Sequence, residues 1–159
     1  RRRYTPEEYM RSVERLRKYL PGCAITTDVL TGFPGETEQE ARETLDFVRA
    51  VGFARIHVFP YSRRKGTVAD QMPHQVPEAV KRERAAKLLA LGNQLEENYV
   101  STLVGTVQDV LFETATGEAE AEGYTGQYVR VRAKAQPGQL CRVRICAREG
   151  TLARGEVLN

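Results

Sequence analysis

No apolar run in this sequence approaches the roughly 18 residues that a membrane-spanning helix needs, so no membrane contact is expected. The chain opens on Arg1-Arg2-Arg3 with no apolar stretch behind it, which is not the pattern of a secretory leader. It lacks an initiator methionine and is expected to be a piece of a longer protein. Cysteine is scarce: Cys23, Cys141 and Cys146 are an odd number spread through both halves, which suits a reducing, cytoplasmic setting better than a disulfide framework. Cys141 and Cys146 would lie on opposite faces of a continuous strand, and all three cysteines read as small buried hydrophobes. His57 and His74 are the only histidines and belong to no recognisable triad or metal set. His57 reads as a core or hydrogen-bonding residue, and His74 lies in a proline-rich loop. Low-complexity segments and internal repeats are also lacking.

What is present is ordinary for a soluble globular protein: 159 residues, 41% hydrophobic and 28% charged, with a net charge of +3. That charge says little about nucleic acid until its distribution is known. Two composition regimes divide the chain. Up to about residue 100, helical patterns alternate with short apolar runs, the mark of βα units and a parallel sheet. Thr5-Pro6-Glu7-Glu8 predicts a capped helix carrying Tyr9, Val13, Leu16 and Leu20 on one face, stopped by Pro21-Gly22. A strand over 24–31 leads into Gly32-Phe33-Pro34-Gly35. A second capped helix begins at Thr37, with Glu40 three residues on, and closes at Gly52. A strand over 55–59 ends at Pro60. A basic loop follows to about Pro77, and then a long helix with Val80, Leu88, Leu91 and Leu95 as its stripe, ending near Asn98. Two parallel strands are expected to sit side by side, too few for a self-sufficient sheet.

After residue 100 the period becomes two. Residues 104–112, 128–134, 140–146 and 154–158 read as strands, with Gly117, Gly123-Tyr124-Thr125-Gly126 and Pro137-Gly138 as turns. Such spacing suggests a small closed or partly closed barrel. Alternation puts Tyr128, Arg130, Arg132 and Lys134 on one face, with Val129, Val131 and Ala133 on the other. Arg142 and Arg144 share a face on the following strand. Pro137-Gly138 would make these two strands a hairpin with one basic face. The plainer alternative pairs the arginines with the acidic stretch Asp109, Glu113, Glu118, Glu120 and Glu122 across strands.

The most informative string is Asp28-Val29-Leu30-Thr31-Gly32-Phe33-Pro34-Gly35-Glu36-Thr37, a strand entering a turn and then a capped helix. Glycines there would let backbone amides approach a ligand, and the helix N-terminus favours anionic groups; ordinary turn chemistry is the alternative. This string resembles the late-strand motif of radical S-adenosylmethionine barrels. His57-Val58-Phe59-Pro60-Tyr61-Ser62-Arg63-Arg64-Lys65-Gly66-Thr67 is similar to the last-strand motif of the methylthiotransferases among them. Arg1-Arg2-Arg3-Tyr4-Thr5 resembles the arginine-tyrosine segment that precedes the next-to-last strand. Gly123-Tyr124-Thr125-Gly126-Gln127-Tyr128-Val129-Arg130-Val131 is similar to the core of a TRAM domain, the RNA-binding barrel these enzymes carry.

The resemblance runs in the family's order over nearly the whole chain. It implies an α/β fold, the last two parallel strands and helices of a partial radical-SAM barrel over residues 1–100, followed by a small all-β TRAM barrel over 101–159. It implies that Thr31, Gly32, Phe33, Pro34, Gly35, Glu36, Phe59, Pro60 and Tyr61 line an S-adenosylmethionine site. It gives the RNA-binding set as Arg63, Arg64, Tyr124, Tyr128, Arg130, Arg132, Arg142 and Arg144, for the anticodon stem-loop of a tRNA. The His-Val-Phe-Pro-Tyr-Ser run resembles the branch that methylthiolates threonylcarbamoyladenosine beside the anticodon. The alternatives are the branch that modifies an aspartate of a ribosomal protein and a non-catalytic RNA-binding module. The sequence departs from the family in lacking the C-x-x-x-C-x-x-C cluster motif. The full-length parent would carry S-adenosylmethionine and two iron–sulfur clusters, whereas this fragment is expected to bind none of them and to be inactive alone. No catalytic residue and no metal ligand is assigned within it, and self-association through the truncated barrel surface is expected.

Overall fold

Local chemistry sets the helix boundaries. The structure is a computed structural model describing residues 3–158; Arg1 and Arg2 of the expected arginine-tyrosine segment lie outside them. Helix α1 (Pro6–Tyr19) starts at Thr5, whose hydroxyl accepts the Glu8 amide while the Glu8 carboxylate accepts the Thr5 amide. Helix α2 (Glu38–Val51) repeats this capping box with Thr37 and Glu40 and ends on Gly52 at φ 64°, a left-handed cap that glycine adopts without strain. Between and after them, β1 (Thr26–Thr31) and β2 (Arg55–Pro60) pair in parallel as neighbours, Thr26 opposite Arg55 and Thr31 opposite Pro60. A single turn, α3 (Val68–Gln71), precedes the long α4 (Glu78–Thr102). Helix α4 does not stop near Asn98. Nothing breaks it before Gly105, and Val100 and Leu103 enter a second core.

The chain divides into two compact units, one up to Leu95 and one from Glu96. In the first, Val13, Val29, Val48, Val51, Phe53, Ile56, Leu88, Leu91 and Leu95 form one core. Gly92 lets α4 lie close on the sheet, since a Cβ there would come within 2.7 Å of Ile56. Two expectations fail on α1: Leu16 and Leu20 are 46% and 56% exposed, and only Val13 of that helix is fully buried. The inward contact is made instead by Tyr9, whose ring packs edge-on against Phe47 and Phe53. The other face of the sheet is open. It carries Asp28 beside His57 and Leu30 beside Phe59, all exposed, so His57 is not a core residue.

The second unit is a closed barrel in the order β3-β4-β5-β7-β6, built from β3 (Val107–Ala115), β4 (Glu120–Thr125), β5 (Arg130–Lys134), β6 (Leu140–Glu149) and β7 (Leu152–Val157). All its ladders are antiparallel except the short parallel contact of β5 with β7. Val110, Phe112, Val131, Val143 and Ile145 are wholly buried inside it. Three expectations are corrected here. Residues 120–125 form a strand rather than turns. Pro137-Gly138 does not close a hairpin, because β7 lies between β5 and β6. Tyr128 precedes β5 in a turn, with φ 59°. Of the cysteines, Cys146 is exposed rather than buried, beside a bulge in β6.

Gly123 explains how β4 fits. A Cβ at that position would sit 2.0 Å from the Leu111 carbonyl oxygen, so β3 and β4 can cross this closely only over glycine. Gly123→Val should destabilise the barrel by about 3 kcal/mol or more, because backbone rather than a flexible side chain is in the way. Gly117→Val, with open space around it, should stay within about 0.5 kcal/mol of the parent in urea unfolding. Equal effects at the two sites would refute the close-approach account.

Candidate cofactor turn and nucleic-acid face

At the C-terminal ends of β1 and β2 the sequence places Thr31-Gly32-Phe33-Pro34-Gly35-Glu36 and Phe59-Pro60-Tyr61. The Tyr61 amide donates to the Thr31 carbonyl at 2.8 Å, which ties the two strand ends together. Glu36 then turns back on its own loop. Its carboxylate accepts the Gly32 amide at 2.6 Å and the Thr31 hydroxyl at 3.4 Å. Arg84 of α4 donates to the same carboxylate oxygen at 2.7 Å and to the Glu36 carbonyl at 3.1 Å. Both side chains are largely buried, at 9% and 14% exposure.

Lys81, one helical turn earlier, is a second brace. Its aliphatic stem fills the space a Cβ on Gly32 would need, 2.5 Å from its Cγ. Its ammonium donates to the Tyr61 carbonyl at 3.0 Å and to Glu78 at 2.6 Å, and lies over the Tyr61 ring. Phe33 meets that ring edge-on, with centroids 5.3 Å apart. His74, in a left-handed conformation at φ 59°, accepts the Gly35 amide at 2.9 Å through its carbonyl.

These contacts divide the nine candidate cofactor residues into two kinds. Thr31, Gly32 and Pro34 are buried and Glu36 is nearly so; they hold the turn. Phe33, Gly35, Phe59 and Pro60 are exposed and present its surface. Tyr61 belongs to both kinds, half-buried with a phenol oxygen that is buried and has no partner among the described residues. The turn is no anion nest. The amides of Gly32, Gly35 and Glu36 already serve Glu36, His74 and Phe33, and those of Thr37 and Glu40 serve the capping box. What it offers is apolar and aromatic surface, with the Tyr61 phenol oxygen enclosed beneath it.

Sequence reading missed Lys81 and Arg84, although the signal was there. Positions 81, 84, 88, 91 and 95 recur at spacings of three and four, so both charges fall on the buried stripe of α4.

In the basic loop, Arg63 is held by Asp70, Nε to Oδ1 at 2.5 Å and a second donation to the Asp70 carbonyl at 2.8 Å. That guanidinium holds the Asp70 carboxyl below its ordinary pKa. Arg64 is exposed. On the barrel, Arg132 donates to Glu122 through two nitrogens, and Arg130 lies 3.8 Å from the same carboxylate. Arg154, also unforeseen, is shared between Glu120 at 3.3 Å and Glu149 at 3.0 Å. The plainer alternative of acid–base pairing across strands therefore describes β4, β5 and β7. Arg142 and Arg144 are different: they are exposed on β6, Arg142 opposite Asp109 and Arg144 between Val107 and Glu156, yet neither makes an ion pair among the described residues. The four arginines do not share one hairpin face. Tyr124 and Tyr128 are both exposed, with ring centroids 6.4 Å apart.

The cysteines do not fit a cluster. Cys23 lies between α1 and β1, Cys141 and Cys146 lie on β6, and no group of three or more His, Cys, Asp or Glu among the described residues could hold a metal.

The structure thus shows a capped βα turn at the ends of two parallel strands and, in a separate unit, a small closed β-barrel. The radical SAM superfamily profile matches residues 1–48. The chain is 46% identical over 135 residues to the threonylcarbamoyladenosine tRNA methylthiotransferase MtaB of Bacillus subtilis, covering 82% of this chain and 30% of that protein. It is 46% identical over 112 residues to a tRNA-2-methylthio-N(6)-dimethylallyladenosine synthase of Caldicellulosiruptor saccharolyticus, covering 70% of this chain and 24% of that one. A synthase of the same name from Acidothermus cellulolyticus is 48% identical over 124 residues, 77% of this chain and 24% of the relative. The chain belongs to the radical S-adenosylmethionine methylthiotransferase family and spans about a quarter to a third of the length of these relatives.

The brace makes a sharp stability prediction. Arg84→Met leaves the Glu36 carboxylate nearly buried without its cation, a loss of about 3–5 kcal/mol for a buried pair. Lys87→Met removes an exposed pair with Glu83 and should change stability by less than about 1 kcal/mol. Urea unfolding of both variants checks this, and equal small effects would show that Glu36 is not held by Arg84.

Proposed function

We propose that this chain is the C-terminal part of a tRNA methylthiotransferase, in which residues 1–100 complete the radical-SAM barrel and 101–159 form a TRAM-type RNA-binding barrel. The parent would methylthiolate threonylcarbamoyladenosine next to the anticodon. Support comes from the Bacillus subtilis relative, whose name gives it as a threonylcarbamoyladenosine tRNA methylthiotransferase, and from the His57 to Ser62 run. The observation that carries the RNA reading is the exposed pair Arg142 and Arg144 on the same barrel as the exposed Tyr124 and Tyr128. The aspartate-modifying alternative would favour a face that is acidic or purely apolar, and these arginines argue against it.

S-adenosylmethionine, when bound, supplies the radical chemistry by which a hydrogen of the adenine ring is replaced by a methylthio group. In this reading Phe33, Gly35, Phe59 and Pro60 offer it one wall. The Tyr61 phenol oxygen lies enclosed beneath that surface, and Thr31, Gly32, Pro34 and Glu36 fix the turn behind it. The open face with Leu30 and Phe59 would line the barrel interior of the parent; in the isolated chain it is the surface through which copies would associate. Cluster ligands would come from elsewhere in the parent, so the fragment alone would be inactive.

RNA would be gripped mainly through its phosphates, with little sequence preference. Titrating the chain with a labelled anticodon stem-loop at several salt concentrations tests this. Arg142→Ala/Arg144→Ala should weaken binding and flatten the salt slope by about two contacts. An unchanged slope in a folded variant would make this face ordinary solvated surface.

A further inference from the structure

Two features lie on the outer surface of the barrel, away from its core. The first is Tyr128: it adopts φ 59°, a region costly for a bulky residue, while its ring is 75% exposed. Buried Thr125 enforces that conformation. Its hydroxyl accepts the Gln127 and Val129 amides at 3.2 Å each, and its carbonyl accepts the Tyr128 amide at 2.9 Å. The turn is thus built to hold an aromatic ring in water. The second feature is a row of apolar side chains running from that ring across the outside of the sheet. Tyr124 on β4 is opposite Leu111 on β3, and Leu111 is opposite Leu140 on β6. They are 37%, 45% and 71% exposed. The three side chains span two strand spacings, about 10 Å. Arg130 is the cross-strand neighbour of Tyr124 at one end, and Arg142 follows Leu140 on the same outward face at the other.

Flat apolar surface with an arginine at each end is the complement of a nucleotide whose base is free to lie on it; the carboxylates that also border the row, Asp109 and Glu122, lie opposite Arg142 and beside Arg130. A paired base hides its face in the stack and presents only groove edges and phosphates. We propose that Tyr128, Tyr124, Leu111 and Leu140 form one platform for the base faces of unpaired nucleotides, with Arg130 and Arg142 meeting the flanking phosphates. The barrel therefore selects unpaired over duplex RNA. This rests on the RNA-binding reading above and goes beyond phosphate contact, which does not distinguish the two forms.

The test uses the full chain at one salt concentration, with a labelled oligouridine and the same strand annealed to oligoadenosine. Wild type should prefer the single strand. Leu111→Ser/Leu140→Ser and Tyr128→Gly should each lose about tenfold in single-strand affinity while duplex affinity holds. Glycine relieves the backbone strain at 128, so that variant removes the ring without threatening the fold, and Tyr128→Phe should restore binding. Wild type binding both forms equally, with neutral variants, would overturn the platform and leave the phosphate-contact reading intact. Binding to neither form would defeat that reading itself. A wild-type chain that dimerises and a leucine variant that is monomeric with unchanged RNA affinity would assign the face to a second copy and overturn the proposal.

Discussion

One nearly buried carboxylate organises the first unit. Glu36 sits where a βα turn must reverse direction, and its oxygen collects the Gly32 amide, the Thr31 hydroxyl and the Arg84 guanidinium. An isolated charge in that position would be expelled to water or neutralised, since burial penalises it heavily unless a partner is fixed beside it. The register of the first turns of α4 meets this need. Arg84 and Lys81 lie on the same stripe as Leu88 and Leu91, so packing the helix on the sheet delivers both cations to the strand ends. Gly92 permits the approach. The candidate cofactor turn is thereby shaped by protein contacts alone, and the residues it leaves outward are aromatic, apolar or glycine.

How much of this was legible depended on whether the signal was local. Both capping boxes and the Gly52 cap could be read directly, because each is a matter of a few neighbouring residues. The parallel pairing of β1 and β2 followed from the βαβ pattern. The barrel was legible as a class and illegible in its order. β4 hides its inward face behind Ala121, Gly123 and Thr125, residues that resemble a turn and not a strand core. The β5–β7 contact joins strands that are distant in sequence, so a hairpin at Pro137-Gly138 was the natural and incorrect reading. Arg84 was missed because a charge run is usually a solvated face, and only its phase relative to Leu88 marks it as inward.

Strand order also decides which arginines are free. With β4 next to β5, Glu122 is set against Arg130 and Arg132; with β7 beyond them, Arg154 falls between Glu120 and Glu149. That side of the barrel is largely self-compensated. The β6–β3–β4 side keeps Arg142 and Arg144 unpaired among the described residues and carries the exposed row from Leu140 to Tyr128. The charge balance of the whole chain says nothing of this asymmetry, which arises only when the sheet closes.

If the chain binds RNA as proposed, amide chemical shifts on titration with an anticodon stem-loop should move most at Leu111, Tyr124, Tyr128, Leu140 and Arg142. Shifts concentrated instead around Glu120, Glu149 and Arg154, on the self-compensated side, would contradict it.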